Sequence, residues 1–393
     1  MSPKNKDPWE EVQKGKEYRD AGIDRLMSVE MHQKTFSAAA VMVIKGDAVV
    51  HRAFYGRDKM GGGSKSIDEK SLFDLASLTK PLGSGLLTLF LTGRGALDIR
   101  SNLSQFGDAF RDDKFKNITI DMLLDHSAGF PALWGLWEFL EKNPENIKIG
   151  TRAIVPVYQK HFREIDLVTE PGRVTCYSDV GFIALGWALE AAVGKSLDVA
   201  LRERILMPMD IERELFFVPL DDAKFRKTLA ARTFVATEEC PRRGLLQGEV
   251  HDPEAWAMGG VAGHAGMFGT LDGVWRLVYA LKRAYQGATD TLFHSGAVQR
   301  FWTRSKRVPN TTRTLAWDMP SALDSTVGQR FSRTSVGHLG YTGTSIWIDL
   351  KNDIIGIVLT NAVHPTYPDD KKKTMRAFRQ HIYDEIFRAA GVN

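Results

Sequence analysis

The chain has 393 residues, 43% hydrophobic and 25% charged, with a formal charge of +4. That length holds one large domain or two of ordinary size, with ample core, and the composition is that of an ordinary globular protein. Its 52 basic residues are scattered among 48 acidic ones, which speaks against a nucleic-acid partner. The densest run, Lys371-Lys372-Lys373 after Asp369-Asp370, reads as a solvated helix start.

In chain order, residues 1–35 are charged and polar and read as a surface helix. They contain no apolar stretch with a cleavage pattern, and no run of 18 apolar residues occurs anywhere, so neither a signal peptide nor a membrane span is expected. As written the chain is expected to be cytoplasmic; a trimmed leader would instead make it periplasmic or extracellular. Ala38–Tyr55 has strand character on both sides of a Lys45-Gly46-Asp47 turn, a hairpin signal. Gly61-Gly62-Gly63-Ser64 is a flexible loop. Counting a phosphate-binding loop from Gly56 puts Gly62 where lysine is required, so that reading fails.

From Ser77 to about Gly93 the pattern is helical, with Leu82, Leu86, Leu87, Phe90 and Leu91 as an apolar stripe. Pro81 is tolerated only near a helix start, which places that start at or just before Ser77. Residues 100–265 read as helices joined by Pro/Gly turns, among them Val180–Val193, stopped by Gly194. Residues 340–362 return to strands around a Lys351-Asn352-Asp353 turn, and Thr374–Ala389 is an amphipathic helix. Strands at both ends with helices between imply an α+β fold: an antiparallel sheet built from both chain ends, flanked by helices, with an inserted mainly helical domain. The expected division is 1–100 with 270–393 for the sheet domain and 101–269 for the helical one.

Ser77-Leu78-Thr79-Lys80 is the only Ser-x-x-Lys in the chain and opens a strongly apolar helix. A serine hydroxyl needs a neighbour to take its proton, and a lysine three residues on lies on the same helix face. The helix start offers free N–H groups to an oxyanion forming beside Ser77. Burial of Lys80 is expected to lower its pKa. Downstream come Glu170-Pro171-Gly172, then Tyr177-Ser178-Asp179-Val180-Gly181-Phe182, and then Gly337-His338-Leu339-Gly340-Tyr341-Thr342-Gly343-Thr344.

The order Ser-x-x-Lys, Tyr-x-polar, x-Thr-Gly resembles the serine β-lactamase and penicillin-binding-protein superfamily, most of all its class C-like branch, over roughly residues 35–365. The resemblance implies Ser77 as nucleophile, Lys80 and Tyr177 as its proton partners with Tyr177 as general base and then acid, and the N–H groups of Ser77 and Thr344 as an oxyanion hole. It implies a substrate-binding edge at Asp179, His338, Tyr341, Thr342 and Gly343. Two positions depart from the family pattern. Asp179 stands where asparagine is usual and, by pairing with Lys80, would raise the pKa of that lysine. Tyr341 replaces the lysine that holds a substrate carboxylate in true β-lactamases. His338 either supplies the missing charge or is a scaffold histidine.

His251, Asp252 and His264, set among glycines, match no hydrolytic zinc spacing and read as hydrogen-bonding pegs, so no metal and no cofactor is expected. Asp125-His126-Ser127-Ala128-Gly129 reads as a structural turn, and Trp134 and Trp137 as core. Cys176 and Cys240 form no disulfide framework and read as packing residues. The expected function is a serine acyl hydrolase working through a Ser77 acyl-enzyme on small esters or D-Ala-type amides, at most a weak β-lactamase. The alternatives are a penicillin-binding D-alanyl-D-alanine carboxypeptidase or β-lactamase, and a non-catalytic relative that binds cell-wall ligands. The expected partner is a small ester, a D-Ala peptide or a β-lactam.

Overall fold

The computed structural model describes residues 12, 17–143 and 148–392. Among the described residues ten strands are arranged in three sheets. The largest joins the two ends of the chain: β1 (Ala38–Lys45) and β2 (Ala48–Gly56) form the first hairpin, β8 (Val336–Leu339), β9 (Ser345–Asp349) and β10 (Ile354–Thr360) the second. Its order is β2-β1-β10-β9-β8, antiparallel throughout, with Val41 opposite Val358 where the two hairpins meet. The strand pairing joins residues more than 300 positions apart because β1 and β10 are apolar on both faces and have to be covered on both.

The alternation along β1 divides the core. Ala38, Ala40, Met42 and Ile44 face the larger cluster, which fills the body of the molecule. Ala39, Val41 and Val43 face a smaller one, covered by α1 (Ala21–His32) and the C-terminal helix α5 (Asp369–Ala389). The N-terminal segment therefore differs from a polar surface helix. Ile23 and Met27 are completely buried against α5 residues such as Phe378 and Ile382, so α1 is amphipathic; residues 1–11 and 13–16 lie outside the described part. Asp20 caps α1 by accepting from the N–H groups of Gly22 and Ile23.

The body contains α2 (Gly85–Gly93), α3 (Asp179–Val193) and α4 (Leu271–Tyr285) with several shorter helices. α3 starts at the Ser178 cap, whose hydroxyl accepts from Gly181 N–H at 3.0 Å, and ends at Gly194, left-handed at φ 70°. The central region is not only helical. β3 (Phe73–Asp74), β7 (Met267–Gly269) and β4 (Leu215–Phe217) form a second sheet, and β5 (Glu239–Cys240) with β6 (Gly244–Leu245) a short ribbon. Strands of two or three residues show no periodicity in the sequence, because their pairing comes from distant segments. β3 matters most, since it delivers the chain to Ser77.

Candidate active site

Ser77 follows β3 by three residues. The helix it opens begins with a 3₁₀ turn at Ala76–Leu78, continues through a π turn at Lys80–Ser84 and becomes α-helical only at Gly85. Pro81 explains the widened turn: with no N–H to donate, and a ring crowding the preceding carbonyls, it is accommodated where the ladder loosens. Gly85 allows the same turn to close, since a Cβ there would meet the Ala316 side chain at 2.4 Å and the Lys80 carbonyl oxygen at 2.6 Å.

Lys80 is completely buried, and its Nζ donates to Ser77 Oγ at 2.9 Å. The same ammonium lies 2.6 Å from the Asp179 carboxylate, 3.4 Å from the His264 carbonyl oxygen and 4.8 Å from the centre of the Tyr177 ring. The Tyr177 phenol lies close enough to Lys80 and Ser77 for both to favour its ionised form. Three residues separated by up to a hundred positions thus meet around one proton.

Charge balance decides the state of Lys80. Burial works against the ammonium, but the Asp179 carboxylate and then Tyr177 outweigh it, so its pKa is raised rather than lowered as burial alone would imply. Lys80 rests as a cation. Burial pushes the Tyr177 phenol up as well, by more than Lys80 pulls it down. Tyr177 therefore rests protonated.

The surroundings hold Tyr177 in place. His126, at φ 59°, accepts the Ser178 N–H on Nδ1 at 3.0 Å, and its ring packs 4.6 Å from that of Tyr177. Burial, then the positive charges of Arg313 and Lys80, hold His126 well below the ordinary histidine pKa, so it is a neutral scaffold. His338 is the same kind of residue. Its Nδ1 bonds the Leu339 carbonyl at 2.9 Å, and burial with Lys80 and Arg313 nearby keeps it uncharged. It does not replace the cation missing at position 341.

Arg313 was not legible in the sequence, where it lies in a loop without a motif. Its guanidinium sits 5.1 Å from the Tyr177 ring centre and pairs with Asp318, whose backbone bridges Gly337 on β8. Behind Lys80, His264 Nε2 lies 2.8 Å from Asp252. Burial disfavours the charge on His264, but Asp252 more than compensates and raises its pKa, while His264 in turn holds the carboxyl of Asp252 low. The peg reading of these residues therefore acquires a charge. Among the described residues no group of His, Cys, Asp and Glu is arranged to hold a metal ion.

The turn from β8 to β9 packs directly on the nucleophile segment. A Cβ on Gly340 would meet the Leu75 carbonyl oxygen at 2.7 Å. The Thr342 hydroxyl donates to Asp74 O at 2.8 Å and that of Thr344 to Leu75 O at 3.2 Å. Both threonine side chains are buried, and these bonds tie the turn to the Asp74–Leu75 backbone. Gly343, at φ 107°, is needed because a Cβ would strike Thr360 Oγ1 at 2.1 Å; the close approach is to the end of β10. Tyr341 is half exposed, its ring stacked on His251 at 5.6 Å and edge-on to Tyr367 at 5.3 Å. Trp134 and Trp137 are both partly buried against the core, Trp134 packing on Tyr158 and Phe162 and Trp137 lying beneath the Arg242 guanidinium. Cys176 and Cys240 are free and half-buried.

The chain is 28% identical over 359 residues to an N-acetylmuramyl-L-alanine amidase of Bacillus subtilis (strain 168), covering 86% of this chain and 80% of the relative. It is 28% identical over 373 residues to a putative D-alanyl-D-alanine carboxypeptidase of Escherichia coli (strain K12), covering 89% and 84%. Among solved structures, EstCE1, a hydrolase with promiscuous acyltransferase activity, superimposes with a TM-score of 0.69 at 16% identity over 93% of this chain and 97% of its own, a likeness of fold. The family model described as Beta-lactamase matches residues 23–391. With a match that spans nearly the whole chain, this protein is a serine hydrolase of the beta-lactamase family.

Proposed function

We propose that Ser77 is the nucleophile of this hydrolase and that its preferred substrates are small neutral esters or D-Ala-type amides, with weak β-lactamase activity at most. In the form of the site that has lost one proton Tyr177 is a phenolate; as Ser77 Oγ bonds to the substrate carbonyl carbon, its proton passes to that phenolate, with the Lys80 ammonium beside both side chains. The N–H groups of Ser77 and Thr344 receive the oxyanion, a role supported by the Thr344 hydroxyl bond to Leu75, which brings that backbone beside the nucleophile. Collapse expels the leaving group with a proton from Tyr177. Water then releases the acyl group by the reverse transfers.

The observation that carries the preference for neutral substrates is the pairing of charges. Lys80 is matched by Asp179, Arg313 by Asp318 and His264 by Asp252, while His126 and His338 are neutral. No unpaired cation among these groups awaits a substrate carboxylate. The test is intact-mass labelling with a fluorophosphonate, followed by kinetics on p-nitrophenyl esters, a D-Ala-D-Ala peptide and a chromogenic cephalosporin. A Ser77→Ala chain that still labels or turns over at a substantial fraction of the wild-type rate refutes the assignment.

A second reading, a D-alanyl-D-alanine carboxypeptidase like the relative so named, is favoured by Arg313. A guanidinium held by one carboxylate keeps donors for another. On this reading Arg313→Ala depresses hydrolysis of a peptide with a free C-terminus far more than that of a neutral ester. Equal losses favour the first reading. The chain has no single helix, among the described residues, long and apolar enough to cross a membrane.

A further inference from the structure

Asp74 lies three residues before Ser77 and is 2% exposed, yet the proton transfers do not use it. One carboxylate oxygen accepts the Ala76 N–H at 2.8 Å, and the other accepts the His251 N–H at 2.7 Å. Its own carbonyl accepts the Thr342 hydroxyl at 2.8 Å, and its backbone pairs with Phe268 of β7. Ala76, between this carboxylate and the nucleophile, has φ 47°. An alanine in the left-handed region is sterically strained, so something must hold it there. That conformation sets the direction of the peptide that carries the Ser77 N–H. It also sets where Ser77 Oγ stands relative to Lys80.

Resting on the reading of Ser77 as nucleophile, we infer that Asp74 is a positioning residue: its carboxylate clamps Ala76 in the left-handed conformation and so aims the Ser77 hydroxyl and N–H at the reacting carbonyl. The same carboxylate couples that clamp to the cleft wall. His251, whose N–H it accepts, stacks on Tyr341, and Thr342, bonded to the Asp74 carbonyl, adjoins Tyr341 in sequence. The nucleophile turn, the His251 loop and the β8–β9 turn thus share one anchor. A displacement of about 1 Å at a reacting group can cost on the order of a hundredfold in rate, which is the scale on which losing the clamp should be felt.

The test compares wild type, Asp74→Ala, and Asp74→Ala combined with Ala76→Gly, using the rate of Ser77 labelling by a fluorophosphonate and kcat and KM for a p-nitrophenyl ester. Asp74→Ala is expected to slow labelling and kcat by roughly thirtyfold or more, with KM changed less than threefold. Adding Ala76→Gly should recover at least about tenfold of that loss, because glycine adopts a positive φ without the side-chain penalty. A purely structural role for Asp74 would not be rescued this way, since a glycine adds no packing. If Asp74→Ala does not fold, Asp74→Asn carries the comparison. An amide there sets an N–H against one of two N–H donors, so labelling falls and Ala76→Gly restores it. Labelling of either variant within threefold of wild type, or no recovery from Ala76→Gly, overturns the inference while leaving Ser77 in place. A wild-type chain that labels at another residue, or not at all, overturns the nucleophile assignment and this inference together.

Discussion

Replacing Asp179 by asparagine removes the anion that keeps Lys80 charged while keeping the side chain's size. The carboxylate is 2.6 Å from Lys80 Nζ, with the lysine side chain fully buried and that of Asp179 17% exposed. At an effective dielectric constant of 20, two unit charges at that separation attract by about 6 kcal/mol, an upper figure because solvent reaches the carboxylate. A neighbouring opposite charge ordinarily moves a titration by about 1–3 pH units. The sign follows from the resting state. Lys80 and Tyr177 are both raised and the reactive form lacks one of their protons, so wild-type kcat/KM should climb with pH through the alkaline range. Asp179→Asn should move that rising limb about 1–3 units toward neutrality, and raise activity near pH 7 if the base form limits the rate. The assay is kcat/KM for a p-nitrophenyl ester from pH 6 to 10 with spontaneous hydrolysis subtracted. A limb that stays in place or moves upward would show that Asp179 does not control the proton inventory of Lys80 and Tyr177, and the mechanism built on that pair would fall.

Tyr177→Phe should lower kcat about a hundredfold, the usual scale for a lost general acid–base group; near-normal steady-state kinetics in the mutant would return Tyr177 to a packing role. Tyr341→Lys should raise the ratio of cephalosporin to neutral-ester kcat/KM by about tenfold or more, since each ~1.4 kcal/mol of charge attraction is a factor of ten; a wild type that already prefers the cephalosporin refutes the argument from paired charges. Glu254 accepts the Tyr158 hydroxyl at 2.6 Å and the Leu136 N–H at 2.8 Å, and burial raises its pKa to about 7. A carboxyl raised on folding binds a proton the unfolded chain has released, so its contribution to stability falls as pH rises from about 4.5 to 7. Glu254→Gln, which can keep both hydrogen bonds, should therefore match wild type near pH 4.5 and exceed it above pH 7 by up to about 3 kcal/mol in denaturant titrations; a constant difference across that range would show that Glu254 is not the titrating group.

The hairpins around Gly46 and around Asn352, the helix after Ser77 and the apolar helix ending at Gly194 were legible in the sequence, because each depends on local alternation, turn chemistry or a cap. The meeting of Ser77, Lys80 and Tyr177 was legible for a related reason: the serine and lysine sit one helical turn apart, and the tyrosine follows in a recognisable stretch. Tertiary structure decided the rest, since the outcome depended on what distant segments bring. The sequence set burial, which lowers the Lys80 pKa, against pairing with Asp179, which raises it, and only the placement of Asp179 at the start of α3 decided between them. His338 was open between a cation and a scaffold until Arg313 and Lys80 were seen beside it. Arg313 itself, and strand β3, which leads through Asp74 to Ser77, have no local signal; their positions come from pairing with Asp318 and with Phe268 of β7. Periodicity reports what a segment does to its own backbone, whereas the charge state of a buried group is the sum of neighbours that only the folded chain assembles.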